Sequence, residues 1–289
     1  MDVKNKSEYD DVWLPRKFDC PILISLHKSG STWVFSHIHK HYRKMGMTMP
    51  PNNLYSEFFH KYNSPDLDFH HQMEPTENQF VQRSVDERFA LLEMLRTFGL
   101  ELAHKAHVPE IIDIWPRFKE FYKGYNIIVL KRRYIWPHYL NLLFMYCVKQ
   151  AVGEAKLKGK EKEGFIHLIP TKVSTKHNYN QEDILKSTIQ EYGVQFKHHD
   201  IVLNSFTRSI RFLNDVVLQE LDKPEVIYTE DIDKYWLRKR FNVELKKTVE
   251  PFKTLDFATY FKPEDLSIVH NKIYERFDNE FKFMGYEFQ

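Results

Sequence analysis

A short, almost wholly apolar run, Pro21–Leu26 (PILISL), passes through the polar turn His27-Lys28-Ser29-Gly30 straight into helical spacing, and few folds accept that order. The run is too short for a helix and does not alternate with polar residues, so it reads as a strand buried on both faces. After it, Val34, Ile38, Tyr42 and Met45 share one face of a helix predicted over about Ser31–Met45. Only nine of the 289 residues are glycine, which makes one placed directly after a strand informative.

Three further apolar runs have strand character: Leu100–Ala103, Asn126–Leu130 (NIIVL) and Glu225–Tyr228 (EVIY). Leu91, Leu92, Leu95 and Phe98 mark a helix before the first of these, and Ile111, Ile114, Phe118 and Phe121 mark one after it. Pro137 suits the first turn of a helix carrying Leu140, Phe144, Met145 and Val148. Long helical patterns at about 181–192 and 196–221 make the second half mainly helical. Alternating strands and helices predict an α/β fold with three α/β/α layers, a central parallel sheet and a helix-rich C-terminal half. A single domain over 1–289 is expected. In such sheets ligands bind where strand carboxyl ends meet helix N-termini.

Several function classes lose ground on composition. A net charge of only +2 does not suit a general nucleic-acid binder, so any basic site is local. The first twenty residues are polar and acidic, with no apolar core of a signal peptide. No apolar run reaches the ~18 residues of a membrane span, and a cytoplasmic protein is expected. The two cysteines, Cys20 and Cys147, sit in apolar or aromatic-flanked segments and read as buried free thiols. No Cys/His cluster has zinc spacing, and no metal is called for. The polar stretch at 153–164 (GEAKLKGKEKEG) reads as a solvated loop or as a flap over a site.

The turn after the first strand carries the chemistry. Gly30 permits close approach of the backbone, and Ser31 or Thr32 can cap the helix while its free N–H groups face outward. Such a helix start binds phosphate, and Lys28 adds a charge beside it; a purely structural capping turn would look the same. The nucleotide loop Gly-x-x-x-x-Gly-Lys-Ser/Thr is absent, because this turn has one glycine and its lysine precedes it.

The order His27-Lys28-Ser29-Gly30-Ser31-Thr32-Trp33 resembles the 5′-phosphosulfate loop of sulfotransferases, usually Pro-Lys-Ser-Gly-Thr-Thr-Trp; His27 and Ser31 are the departures. The resemblance implies a donor, 3′-phosphoadenosine 5′-phosphosulfate (PAPS), with Lys28 at the bridging oxygen. It also implies that Ser29, Gly30, Ser31 and Thr32 hold the 5′-phosphate and that Trp33 stacks on adenine. The segment Asn126–Phe144 is similar to the family's 3′-phosphate segment, where an Arg after a strand pairs with a Ser eight residues on. Here Arg132 and Arg133 are the candidates, and Asn141 stands at the Ser position counted from Arg133.

His104-Lys105-Ala106-His107-Val108-Pro109 resembles the Lys-Thr-His-Leu-Pro of cytosolic sulfotransferases, whose histidine takes the acceptor's proton. That makes His107 one candidate base, and imidazole suits the role because it titrates near neutrality. Tyr55-Ser56-Glu57-Phe58-Phe59 resembles the corresponding segment of carbohydrate sulfotransferases and makes Glu57 the other. Val226-Ile227-Tyr228-Thr229-Glu230-Asp231 resembles the family's late Tyr-Glu-Asp segment, with Tyr228 as an adenine contact; the cytosolic branch's C-terminal Arg-Lys-Gly loop is absent. The resemblance spans about Pro21–Asp231 and implies sulfuryl transfer to a hydroxyl or amine of a small-molecule or carbohydrate acceptor. A P-loop-type nucleotide kinase and a non-catalytic nucleotide-binding protein of the same fold remain the alternatives. The acceptor and the oligomeric state are open.

Overall fold

A computed structural model of the chain describes residues 21–31, 34–35, 59, 84–97, 104–154, 186, 190, 196–233, 235–236, 239 and 257–289. The chain divides into two compact units, one formed by 1–62, 81–132 and 212–251 and the other by 63–80, 133–211 and 252–289. The architecture is α/β, with a four-stranded parallel sheet and flanking helical segments.

The first unit holds the sheet: β1 (Pro21–Ser25), β2 (His104–His107), β3 (Asn126–Lys131) and β4 (Glu225–Tyr228), in the order β2-β1-β3-β4. Three of these strands coincide with the apolar runs that predict them. The described part of β2 lies beyond its run, Leu100–Ala103, of which 100–103 fall outside the described residues. Its polar residues are buried all the same. His104 is accommodated because its Nε2 lies 2.7 Å from the Tyr122 hydroxyl, which satisfies a nitrogen otherwise costly to bury.

All pairings are parallel, with Ser25 level with His107 on one side and with Leu130 on the other. The carboxyl ends of all four strands therefore share one edge. Along the chain β1 leads to β2 on one side and β3 leads to β4 on the other, which makes the edge beside β1 and β3 a topological switch point.

Helix α1 (Val85–Thr97) opens on a capping box, with the Ser84 N–H donating to Glu87 Oε2 (2.6 Å) and the Glu87 N–H to Ser84 Oγ (3.2 Å). The predicted helix around 111–121 is instead two pieces, α2 (Val108–Ile111) and α3 (Trp115–Phe121), joined by a 3-10 turn over Ile112–Ile114. Pro109 and Pro116 each sit in the first turn of their piece, where the missing N–H costs nothing. Phe59 and Tyr122 lie against His104 with ring centroids 5.5 and 5.3 Å away, and Phe89, Phe118 and Phe121 extend this aromatic cluster. A π-helical segment (Phe212–Val217) and α6 (Leu218–Glu220) also belong to this unit.

In the second unit α4 (Ile135–Glu154) and α5 (Phe196–Arg211) pack with α7 (Pro263–Asn279). Phe206 meets Tyr139 (5.3 Å) and Phe281 (6.3 Å), forming the centre of that core. Pro137 lies in the first turn of α4, as its position predicts. Cys147 is a buried free thiol on α4, pushed up to about 12 chiefly by burial. The C-terminal residues return to the start of α4: the Glu287 N–H donates to the Arg133 carbonyl and the Ile135 N–H to the Glu287 carbonyl, both at 2.9 Å. Helix α7 is the element the apolar pattern does not single out. Its start is nevertheless marked by Pro263 followed by Glu264 and Asp265, the acidic first turn that a helix dipole favours. No described helix is long and apolar enough to cross a membrane.

Candidate functional site

The loop between β1 and the following helix is built on two left-handed residues, Lys28 (φ 63°) and Gly30 (φ 82°). A turn closes over the strand end, with the Ser29 N–H at 3.4 Å and the Ser29 hydroxyl at 2.7 Å from the Leu26 carbonyl. Ser29 is thus buried and its hydroxyl holds the turn together. The Val34 N–H then donates to the Gly30 carbonyl at 3.1 Å, a helical bond. Successive residues in such conformations point backbone N–H groups into one concavity, a geometry suited to an anion. Thr32 and Trp33 lie outside the described residues.

His107 ends β2 directly beside this loop. Its Nε2 is 3.1 Å from Ser31 Oγ, although the two residues are 76 positions apart. The His27 ring lies against the His107 ring, with centroids 4.2 Å apart and planes tilted by 34°. Glu110, one turn into α2, grips His107 twice: Oε2 accepts the His107 backbone N–H at 3.0 Å, and Oε1 is 3.2 Å from ring Nδ1. Both His107 and Glu110 are buried. The segments that resemble the donor loop and the catalytic histidine are therefore in contact. Glu57, the rival base, lies outside the described residues.

His27, His107 and Glu110 also bring potential metal-ligand atoms within 4.8 Å of one another. Both His107 nitrogens face hydrogen-bonding partners, which favours hydrogen bonding over ligation.

Further along the same edge, Lys131 closes β3. Burial brings its ammonium down to about 8, and its Nζ donates to Asn214 Oδ1 at 2.7 Å. The Tyr228 ring lies 5.7 Å from the same Nζ, as expected of residues level with each other in β3 and β4. Arg132 is buried and its Nε donates to Glu230 Oε1 at 2.6 Å. Thr229 locks β4 to the loop after β1: its Oγ1 is 2.5 Å from the Ser29 carbonyl and 3.1 Å from the Lys131 carbonyl. Ser25 Oγ, buried at the end of β1, has no hydrogen-bond partner among the described residues.

The remaining candidates belong to the second unit. Arg133 is half-buried with Glu287 Oε1 at 3.7 Å. Asn141 lies on α4, and its Oδ1 is buried without a hydrogen-bond partner among the described residues. Glu110, His27 and Thr229 are the residues that sequence reasoning did not single out. Glu110 had a local signal, since a carboxylate three residues after a strand-ending residue is half of a capping box. Thr229 had none, because its partners come from distant segments. Compared with protein-family models, with curated proteins and with solved structures, the chain finds no match in any of the three.

Proposed function

We propose that this chain is a sulfotransferase that moves a sulfuryl group from PAPS to a hydroxyl or amine of a small-molecule or carbohydrate acceptor. One observation carries the reading: the Lys28–Ser31 turn and His107 meet at 3.1 Å on the carboxyl edge of a parallel sheet. Anion-holding and proton-accepting groups are thereby side by side, which is what sulfuryl transfer requires of a protein. The finer fold belongs to the same proposal: a P-loop-like strand–turn–helix within a three-layer α/β/α domain whose C-terminal half is helix-rich.

The described residues fit the donor's 5′ side. The left-handed residues Lys28 and Gly30 curve the backbone into a turn of the kind that holds anions, and Gly30 carries no Cβ to block a close approach. When bound, PAPS supplies an activated sulfuryl group. Lys28 neutralises charge that builds on the leaving oxygen, and the turn amides share that load. His107 Nε2 takes the acceptor's proton, and the loop and His107 together align the two reactants. Thr32, Trp33 and Tyr228 complete the nucleotide pocket in this reading.

Arg132 is already neutralised by Glu230. That pairing favours, as the second reading, a nucleotide without a 3′-phosphate, either used as a kinase uses it or bound without chemistry.

Thermal shift with 3′,5′-ADP, PAPS and ATP–Mg separates the readings. A ligand that binds only the native state at ~100-fold above its Kd adds about 2.7 kcal/mol, a rise of several degrees in Tm. 3′,5′-ADP and PAPS are expected to raise the Tm. A rise with ATP–Mg alone overturns the sulfotransferase reading. Lys28→Ala is expected to abolish transfer while keeping part of the nucleotide binding, and full transfer by that variant removes Lys28 from the mechanism.

A further inference from the structure

We infer that Glu110 is a positioning residue: it holds His107 as the Nδ1–H tautomer and so leaves Nε2 bare on the side of the donor loop. This deepens the sulfotransferase reading and rests on it for the use made of the bare nitrogen. A carboxylate only accepts hydrogen bonds, so a ring nitrogen facing it within 3.2 Å carries the proton. Neutral imidazole has one such proton. With it on Nδ1, Nε2 offers a lone pair, and the Ser31 hydroxyl donates to it across 3.1 Å.

The grip is rigid for local reasons. Glu110 is tied to the His107 backbone by its second oxygen, so the carboxylate cannot swing away without releasing a buried N–H. Pro109, between the two residues, fixes φ in the first turn of α2 and sets the spacing. The His27 ring lies over one face of the imidazole and opposes its rotation. Glu110 acts through His107, whose backbone and ring it holds.

The substitution Glu110→Gln makes the inference testable. Its amide oxygen can still accept the His107 backbone N–H, which keeps the cap. Its NH2 then faces Nδ1 and requires a lone pair there, driving the ring proton to Nε2. The measurement is long-range 1H–15N correlation NMR on the full chain with 15N-labelled histidine, the His107 signals being assigned from their loss in His107→Gln. In wild type an Nδ1–H to Nε2–H ratio on the order of ten or more is expected, as a charge-assisted bond warrants. In Glu110→Gln the ratio inverts.

Wild-type His107 with its proton on Nε2 overturns the inference, and that result needs no folded variant. An unchanged tautomer in a folded Glu110→Gln protein overturns it as well. A parallel thermal shift with 3′,5′-ADP keeps the two readings apart. Binding together with the wrong tautomer removes Glu110 and spares the sulfotransferase reading. The expected tautomer without any 3′,5′-ADP binding overturns the assignment of the bare nitrogen to sulfuryl transfer.

Discussion

At Lys28 and Gly30 the backbone turns left-handed, and only one of the two is a glycine. A side chain in that region carries a cost of roughly 1–2 kcal/mol from the crowding of Cβ against the carbonyl. Gly30→Ala is therefore expected to destabilise the protein by about that amount, read as a lowered urea midpoint. Lys28→Ala keeps a Cβ at φ 63° and leaves the backbone cost where it was. Its stability is expected to change by less than about 1 kcal/mol, so a loss of the proposed nucleotide binding cannot be assigned to unfolding. An equal loss of stability in both variants would contradict this account of the turn.

At the scale of elements, Thr229, at the start of the turn after β4, ties the loop after β1 to the rest of the sheet. Its hydroxyl is shared between two buried carbonyls, on the loop after β1 and at the end of β3. Thr229→Val keeps the shape and removes the donor, at an expected cost of about 1–3 kcal/mol. Thr229→Ser keeps the hydroxyl and is expected to cost about 1 kcal/mol or less. Equal urea midpoints for Thr229→Val and wild type would deny the hydroxyl this role. Helix α4 carries a second expectation: with Cys147 buried and its thiol at about 12, a thiol reagent is expected to leave it unmodified in the native protein and to reach it in urea. The strands β1, β3 and β4 were legible because their apolar runs are short and end in polar turns, although only Ile227 of β4 is buried. The described part of β2 was not, because His104, Lys105 and His107 are polar residues made tolerable by partners such as Tyr122 and Glu110. The candidate site divides along the same line. Its loop is contiguous and readable from residue order. The contact of Ser31 with His107 depends on the parallel register that sets Ser25 beside His107, and no single segment contains that register.

For the molecule as a whole, the expected consequence is a loss of stability that starts near neutrality as the solution is acidified. His104, in the first unit, is fully buried and lowered by that burial from 6.5 to about 4. His199, in the second, is lowered for the same first reason, with Lys272 adding to it. A histidine whose folded pKa is depressed binds its proton more readily in the unfolded chain. Its contribution is therefore complete above the unfolded value near 6.5 and is lost as the pH falls through the window down to about 4. For His104 the full loss is on the order of 3 kcal/mol. The paired carboxylates act at lower pH: Asp200 and Glu280 are held down first by hydrogen bonds from Lys272 and Arg211, so their contributions fade as the pH falls from the ordinary carboxylate range through the lowered folded values. Asp200 is exposed and adds little. Urea unfolding at intervals from pH 7 to 4.5 is expected to show the decline beginning before any carboxylate titrates. His104→Phe, which suits the surrounding rings of Phe59 and Phe118, is expected to start less stable because the Tyr122 hydroxyl loses its partner, and then to decline less steeply. A variant that falls as steeply as wild type between pH 6.5 and 4.5 would show that the acid sensitivity lies elsewhere than in this buried imidazole.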